Sequence, residues 1–184
     1  MRRYVQVGVP LVVGAILIVP MWLDRSPQSP ASPASALLPL VRTLSGTLPA
    51  VAGSSLDGAS FVASGLRGHV VVLTFWNPAC PPCRREAPAL VSAWRALRSA
   101  GARFVGVLYV GATWPDDRSA ARAFEERYGI EWPVMVDDGS ELARALAIPG
   151  IPVTVLADAR GRLRYEIVGG VKAGQIQSLV ERLT

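Results

Sequence analysis

A chain of 184 residues has room for one domain and a tail, and a 51% hydrophobic content is ample for a core. The formal charge of +5 comes from arginines scattered along the chain, with no basic block and no nucleic-acid module pattern, so it reads as a soluble face biased toward anionic lipid and no nucleic-acid partner is expected. With 2 cysteines and 1 histidine the chain falls short of the four ligands of a structural zinc site, and neither a metal nor another cofactor is expected.

Arg2 and Arg3 precede an apolar stretch from about Val5 to Leu23. As a helix it would span ~28 Å, close to the ~30 Å hydrocarbon core of a bilayer. Asp24 and Arg25 nearly cancel on its far side, so the positive-inside bias keeps the N-terminus in the cytoplasm and exports the chain beyond Leu23. Residues 1–23 are thus expected to be a single-pass signal-anchor. A cleaved signal peptide ending at Ala34-Ser35-Ala36 is the competing reading, but the apolar stretch is long for one and that site lies well beyond its end. Both readings place the remainder on the extracytoplasmic, periplasmic side. Residues 24–43 read as a linker, with Pro27, Pro30 and Pro33 favouring an extended stalk of ~3.1 Å per residue. Residues 44–184 read as the globular domain.

Within the domain, Leu56-Asp57-Gly58-Ala59 carries a hairpin-turn signal. The unbroken apolar run 70–76 suits a central strand buried on both faces. A helix is expected over about 81–100, with Leu90, Trp94 and Leu97 at helical spacing and a kink at Pro88. Phe104–Val110 predicts a second buried strand, and 116–128 a helix with Ala120, Phe124 and Tyr128 on one face. A short strand, Pro133–Val136, precedes a helix from Ser140 to Ala147 with Ser140 as N-cap. Pro152–Ala157 and Arg162–Val168 predict a hairpin turned by Asp158-Ala159-Arg160-Gly161. The last helix carries Ile176, Leu179, Val180 and Leu183 as a stripe. This β-α-β-α-β-α-β-β-α order predicts an α/β fold with helices on both faces of a mixed sheet.

Both cysteines lie in Cys80-Pro81-Pro82-Cys83, between the buried strand and the helix. A CxxC at that junction reads as a thioredoxin-like redox site, where the helix N-terminus favours a thiolate on the first sulfur. The alternative is a purely structural disulfide, whose tiny loop would remove little unfolded-state entropy. Cys80 is expected to be exposed and to act as nucleophile. Pro81 and Pro82 have no N–H, so Cys83 N–H is the first amide donor to its sulfur. Fewer donors stabilise the thiolate less and make the couple more reducing, while Arg84 and Arg85 push the other way. Glu86 is a candidate proton acceptor for Cys83; the alternative is a solvated glutamate complementing the helix dipole. Pro152 suits a strand edge or a cis turn that leaves Ile151 open to an incoming extended peptide. Trp76 reads as packing beside the site, His69 as a loop residue, and Gly169-Gly170 as a turn.

The segment from Leu66 to Pro88, with Gly150-Ile151-Pro152-Val153-Thr154 and Asp158-Ala159-Arg160-Gly161, resembles the membrane-anchored thioredoxin-like proteins of the TlpA/ResA/CcmG type over about residues 48–184. The resemblance implies a thioredoxin fold with an extra βα insertion, which residues 131–148 fit, and extracytoplasmic thiol–disulfide exchange. It implies catalytic roles for Cys80, the resolving Cys83 and Glu86, and a cis Pro152 facing the disulfide. Trp76, Pro81, Pro82, Ile151 and Pro152 would line the client surface. Three departures stand out: Ala79 where thioredoxins often have Trp, Thr74 where many hold a buried acid, and Val153 between Pro152 and Thr154. The usual task of such proteins implies exported, disulfide-bearing clients in cytochrome c or cytochrome oxidase copper-site maturation, and an electron donor in or across the membrane. A disulfide-forming oxidant and a non-redox, chaperone-like binding module are the alternative functions.

Overall fold

Val71–Trp76 forms the central strand of the sheet, and all six of its residues are buried. Apolar side chains on both faces are what a strand between two covering layers needs. The computed structural model describes residues 40–62 and 66–184. The expected anchor, and the linker up to residue 39, lie outside the described residues. Among the described residues no helix is long and apolar enough to cross a membrane.

In chain order the elements are β1 (Leu40–Thr43), β2 (Ala52–Ser55), β3 (Ser60–Val62), β4 (Val71–Trp76), α1 (Pro81–Leu97), β5 (Arg103–Tyr109), α2 (Arg118–Tyr128), β6 (Val134–Asp137), α3 (Glu141–Ala145), β7 (Val153–Ala157), β8 (Leu163–Val168) and α4 (Ala173–Glu181). They build one sheet in the order β1-β8-β7-β4-β5-β6-β2-β3. β4, β5 and β6 are parallel, while β7 runs antiparallel to β4. The C-terminal ends of β4 and β5 and the start of β7 therefore meet at one end of the central strands, and the cysteines lie there.

Alternation along the strands divides the core. Val71, Leu73 and Phe75 pack with Val107, Met135 and Val155 beneath Leu142 of α3 and Leu146 just after it. Val72, Phe104 and Leu156 face the other way, under Leu90 and Leu97 of α1 and Ile176 and Leu179 of α4. Trp76, Leu108 and Val136 lie under Ala121 and Phe124 of α2. The result is the thioredoxin fold, and β6 with α3 is its βα insertion.

Several sequence expectations shift. Leu40–Thr43, the last four residues of the expected linker, form strand β1 and pair antiparallel with β8. β2 and β3 flank the expected turn, where Gly58 has φ +86° and the Asp57 carboxylate accepts from the Ala59 amide at 3.2 Å. α1 continues without a break through Pro88. Residues 84 and 88 are both exposed, so water can serve the Arg84 carbonyl that Pro88 leaves without a donor. The expected helix from Ser140 to Ala147 is the shorter α3. Ser140 holds its N-cap position but does not cap it: its φ is +56° and its hydroxyl donates to the Val110 carbonyl. The Asp137 carboxylate takes that role, accepting from the amides of Leu142 and Ala143, both at 2.9 Å.

Candidate active site

β4 delivers the chain to the turn Asn77-Pro78-Ala79, and Cys80 is the N-cap of α1 in an extended conformation. Its Sγ accepts from the Cys83 amide at 3.2 Å. Pro81 and Pro82 fill the first helical positions, where a missing N–H costs the helix nothing. Cys80 and Cys83 form a disulfide with their Cα atoms 5.3 Å apart. The expected exposure of Cys80 does not hold in this state: Cys80 is 0% and Cys83 1% exposed. The cap geometry turns the sulfur back toward Cys83, into a cluster built on Trp76, Leu108 and Phe124. Arg84 is exposed, and its Nε donates to the Pro78 carbonyl at 2.8 Å, so it braces the turn.

Glu86 lies one turn beyond Cys83 on the buried face of α1, 4% exposed. The reading of a solvated first-turn glutamate is thereby overturned. Burial pushes its carboxyl from 4.5 up to about 8, against the opposing pull of the Val171 amide, which donates to it at 3.1 Å. A carboxyl that titrates in the range of a cysteine thiol can hold or release a proton at little cost. At the same end of the sheet, the Ile151–Pro152 peptide is cis. Val153 pairs with Phe75 near the end of β4, which places Pro152 beside the cysteine turn. The Pro152 carbonyl accepts from the Gly169 amide at 3.0 Å. Among the described residues, the amide and carbonyl of Ile151 take part in no main-chain pairing. The arrangement offers a two-electron disulfide, a buried proton store and an open stretch of backbone.

Residues 44–183 match the Redoxin family. The chain belongs to the Redoxin family. It is 29% identical over 126 residues to a thiol-disulfide oxidoreductase ResA of Halalkalibacterium halodurans, covering 68% of this chain and 69% of that one. A thiol:disulfide interchange protein of the thioredoxin family from Chlorobium tepidum superposes with a TM-score of 0.66 at 28% identity, covering 77% of this chain and 98% of that one. A secreted Mycobacterium tuberculosis disulfide oxidoreductase homologous to DsbE of E. coli superposes with a TM-score of 0.62 at 25% identity, covering 72% and 95%. This Redoxin-family chain is a thiol–disulfide oxidoreductase of the ResA/DsbE type.

The other residues singled out in the sequence sort by their surroundings. Trp76, 3% exposed, stacks on Phe124 with ring centroids 4.5 Å apart, so it supports the redoxin site from below and offers no surface to a client. Pro81 is exposed, Pro82 and Ile151 are half-buried, and Pro152 is buried. His69 lies at the opposite end of β4, with Nδ1 2.9 Å from the Gly101 carbonyl. Thr74, in place of an acid, pairs across the sheet with Thr154; both are 1% exposed and neither hydroxyl has a partner. Among the described residues, no three His, Cys, Asp or Glu side chains could share a metal ion. Sequence reasoning missed Asn77. It is 0% exposed, with both N–H groups and its oxygen engaged, and an Asn-Pro pair at the end of a buried strand was the signal available.

Proposed function

We propose that this oxidoreductase works as a reductant of exported client proteins, tethered by residues 1–23 on the extracytoplasmic side of the membrane. The observation that carries the redox direction is the cap of α1. Cys83 N–H is the one backbone donor on Cys80 Sγ among the described residues, because the two preceding positions are prolines. A thiolate with few donors is less stabilised, and the couple is more reducing. The engagement of Arg84 with Pro78 supports the same direction, since it turns one nearby cation to the backbone.

In the forward reaction the Cys80 thiolate attacks one sulfur of a client disulfide, and the other client sulfur leaves as a thiolate. The ionised form of Glu86 takes the proton of Cys83, whose thiolate attacks Cys80 Sγ. The client sulfur bonded to Cys80 leaves as a thiolate, and the Cys80–Cys83 bond closes. Two electrons pass to the client. A dithiol donor in or across the membrane reverses the process, and Glu86 returns the proton to Cys83. Strand addition at Ile151 would hold the client segment. The resemblance to the TlpA/ResA/CcmG type favours clients in cytochrome c or cytochrome oxidase copper-site maturation.

Equilibration with glutathione buffers tests the direction. The expected potential is nearer thioredoxin's ~−270 mV than the ~−120 mV of a strong oxidant, and a value above about −160 mV would favour disulfide formation instead. Protease added outside spheroplasts should release the domain by cutting within residues 26–39. Protection until lysis would refute the topology. A Cys83→Ser variant should trap clients as mixed disulfides, and its failure to trap any would favour the non-redox binding module.

A further inference from the structure

A thiolate attacks a disulfide along the line of the S–S bond, so the sulfur under attack must be reachable. Cys80 is 0% exposed. Something must therefore move before a partner sulfur arrives, and the packing around the cysteines names a candidate. Val110, Trp114, Tyr128, Ile130 and Ile151 pack against the cluster that includes both cysteines. Tyr128 and Ile130 lie at and just beyond the end of α2. Ile151 belongs to the client groove. Val110 and Trp114 belong to the loop of residues 110–117 between β5 and α2.

That loop is tied in two ways. Its tip is a tight turn in which Gly111 and Trp114 exchange amide–carbonyl bonds, both 3.0 Å. Its two ends are held by one buried side chain. Asn77 Nδ2 donates to the Tyr109 carbonyl at 3.0 Å and to the Pro115 carbonyl at 3.1 Å, while its Oδ1 accepts from the Ala79 amide at 3.0 Å. A single amide group thus joins the root and the far side of the loop to the residue that precedes Cys80. Ala79, just before Cys80, is small, so it cannot itself cover the sulfur.

We infer that Asn77 is a positioning residue that latches the 110–117 loop, with Trp114, over the Cys80 side of the disulfide, and that release of this cover controls the access of partner thiols. The inference rests on the oxidoreductase reading, with Cys80 as the attacked sulfur. Opening breaks the two loop bonds of Asn77 and lifts Trp114 from its seat. The bond from Ala79 shapes the cysteine turn and is not needed for closure.

The test is the rate at which dithiothreitol reduces the oxidised protein, measured beside its thiol–disulfide equilibrium constant against glutathione. In Trp114→Ala and in Asn77→Ala the rate should rise by about tenfold, the scale of losing one or two hydrogen bonds and a packed ring. The equilibrium constant should stay within about threefold, because the cover opens for both directions of exchange. The double variant should gain little over either single, since both open the same cover. Trp114 is only half-buried, so Trp114→Ala carries the test if Asn77→Ala fails to fold. An unchanged rate in Trp114→Ala, or a rate and equilibrium constant that move together, would overturn the cover. So would a wild-type disulfide reduced as fast as oxidised glutathione, and that result would leave the oxidoreductase reading intact. A disulfide inert in the wild type and in both variants would overturn the cover and the oxidoreductase reading together.

Discussion

Replacing Glu86 with glutamine removes a titrating group from the interior while keeping its shape and an oxygen for the Val171 amide. Burial holds the native carboxyl at about 8, against 4.5 for the ordinary group. The folded pKa lies above the unfolded one, so the native state keeps a proton that the unfolded chain releases. The stabilising contribution is therefore complete below pH 4.5 and is lost as the pH rises through about 8. Each pH unit in that window costs about 1.4 kcal/mol, or about 5 kcal/mol across it. Glu86→Gln lacks this slope. Urea unfolding of the oxidised protein at intervals from acid to alkaline pH gives the difference directly, because the other titrating groups cancel. The variant should match the wild type in acid and exceed it by several kcal/mol in mild alkali. The same substitution should slow reduction of the disulfide by about tenfold and remove the inflection near pH 8 from its rate profile. Parallel stability curves for the two proteins would refute the argument, for they would mean that Glu86 is no more protonated in the native state than in the unfolded one.

Three further outcomes rest on the geometry. Pro82→Ala restores an amide at the second position of α1; one added charge-assisted bond of about 1.5–3 kcal/mol should raise the potential by about 30–60 mV in glutathione equilibration. Gly106→Ala places a Cβ 2.7 Å from Val134 Cγ2 and 3.0 Å from Trp76 Nε1, so thermal unfolding should show a loss of about 1–3 kcal/mol. Asp137→Ala leaves the Leu142 and Ala143 amides uncapped and should cost about 1–2 kcal/mol in urea, whereas Ser140→Ala should leave α3 capped.

The parts of the fold that pack on both faces were legible in the sequence. The run through β4 and the stripes of α1 and α4 announce burial by composition and by period. The parts held by backbone pairing were not. β1 is exposed along its whole length and is a strand because β8 offers it an edge. Ala52-Gly53-Ser54-Ser55 has no alternation, yet β6 and β3 sandwich it into the sheet. The cysteines and the cis-proline carry local signals, so their meeting at one end of the central strands was foreseeable. The burial of Glu86 was also written in the period: it stands one turn before Leu90 on the apolar stripe, beside Cys83 and Ala87. The role of Asn77 depends on carbonyls more than 30 residues away in the chain, and no local pattern encodes such partners. The loss of the Ser140 cap to Asp137 has the same cause, since the backbone turns at Gly139 and brings the earlier carboxylate under the helix.

Trp76 and Trp114 share a cluster with the cysteine sulfurs, while Trp94 and Trp132 pack together elsewhere in the core. An excited indole passes an electron readily to a neighbouring disulfide and far less readily to thiols. The oxidised protein should therefore be the dimmer of the two forms under ultraviolet excitation. Every turnover would then be written in the molecule's own emission, so single-enzyme kinetics with a purified partner need no dye, no tag and no quench.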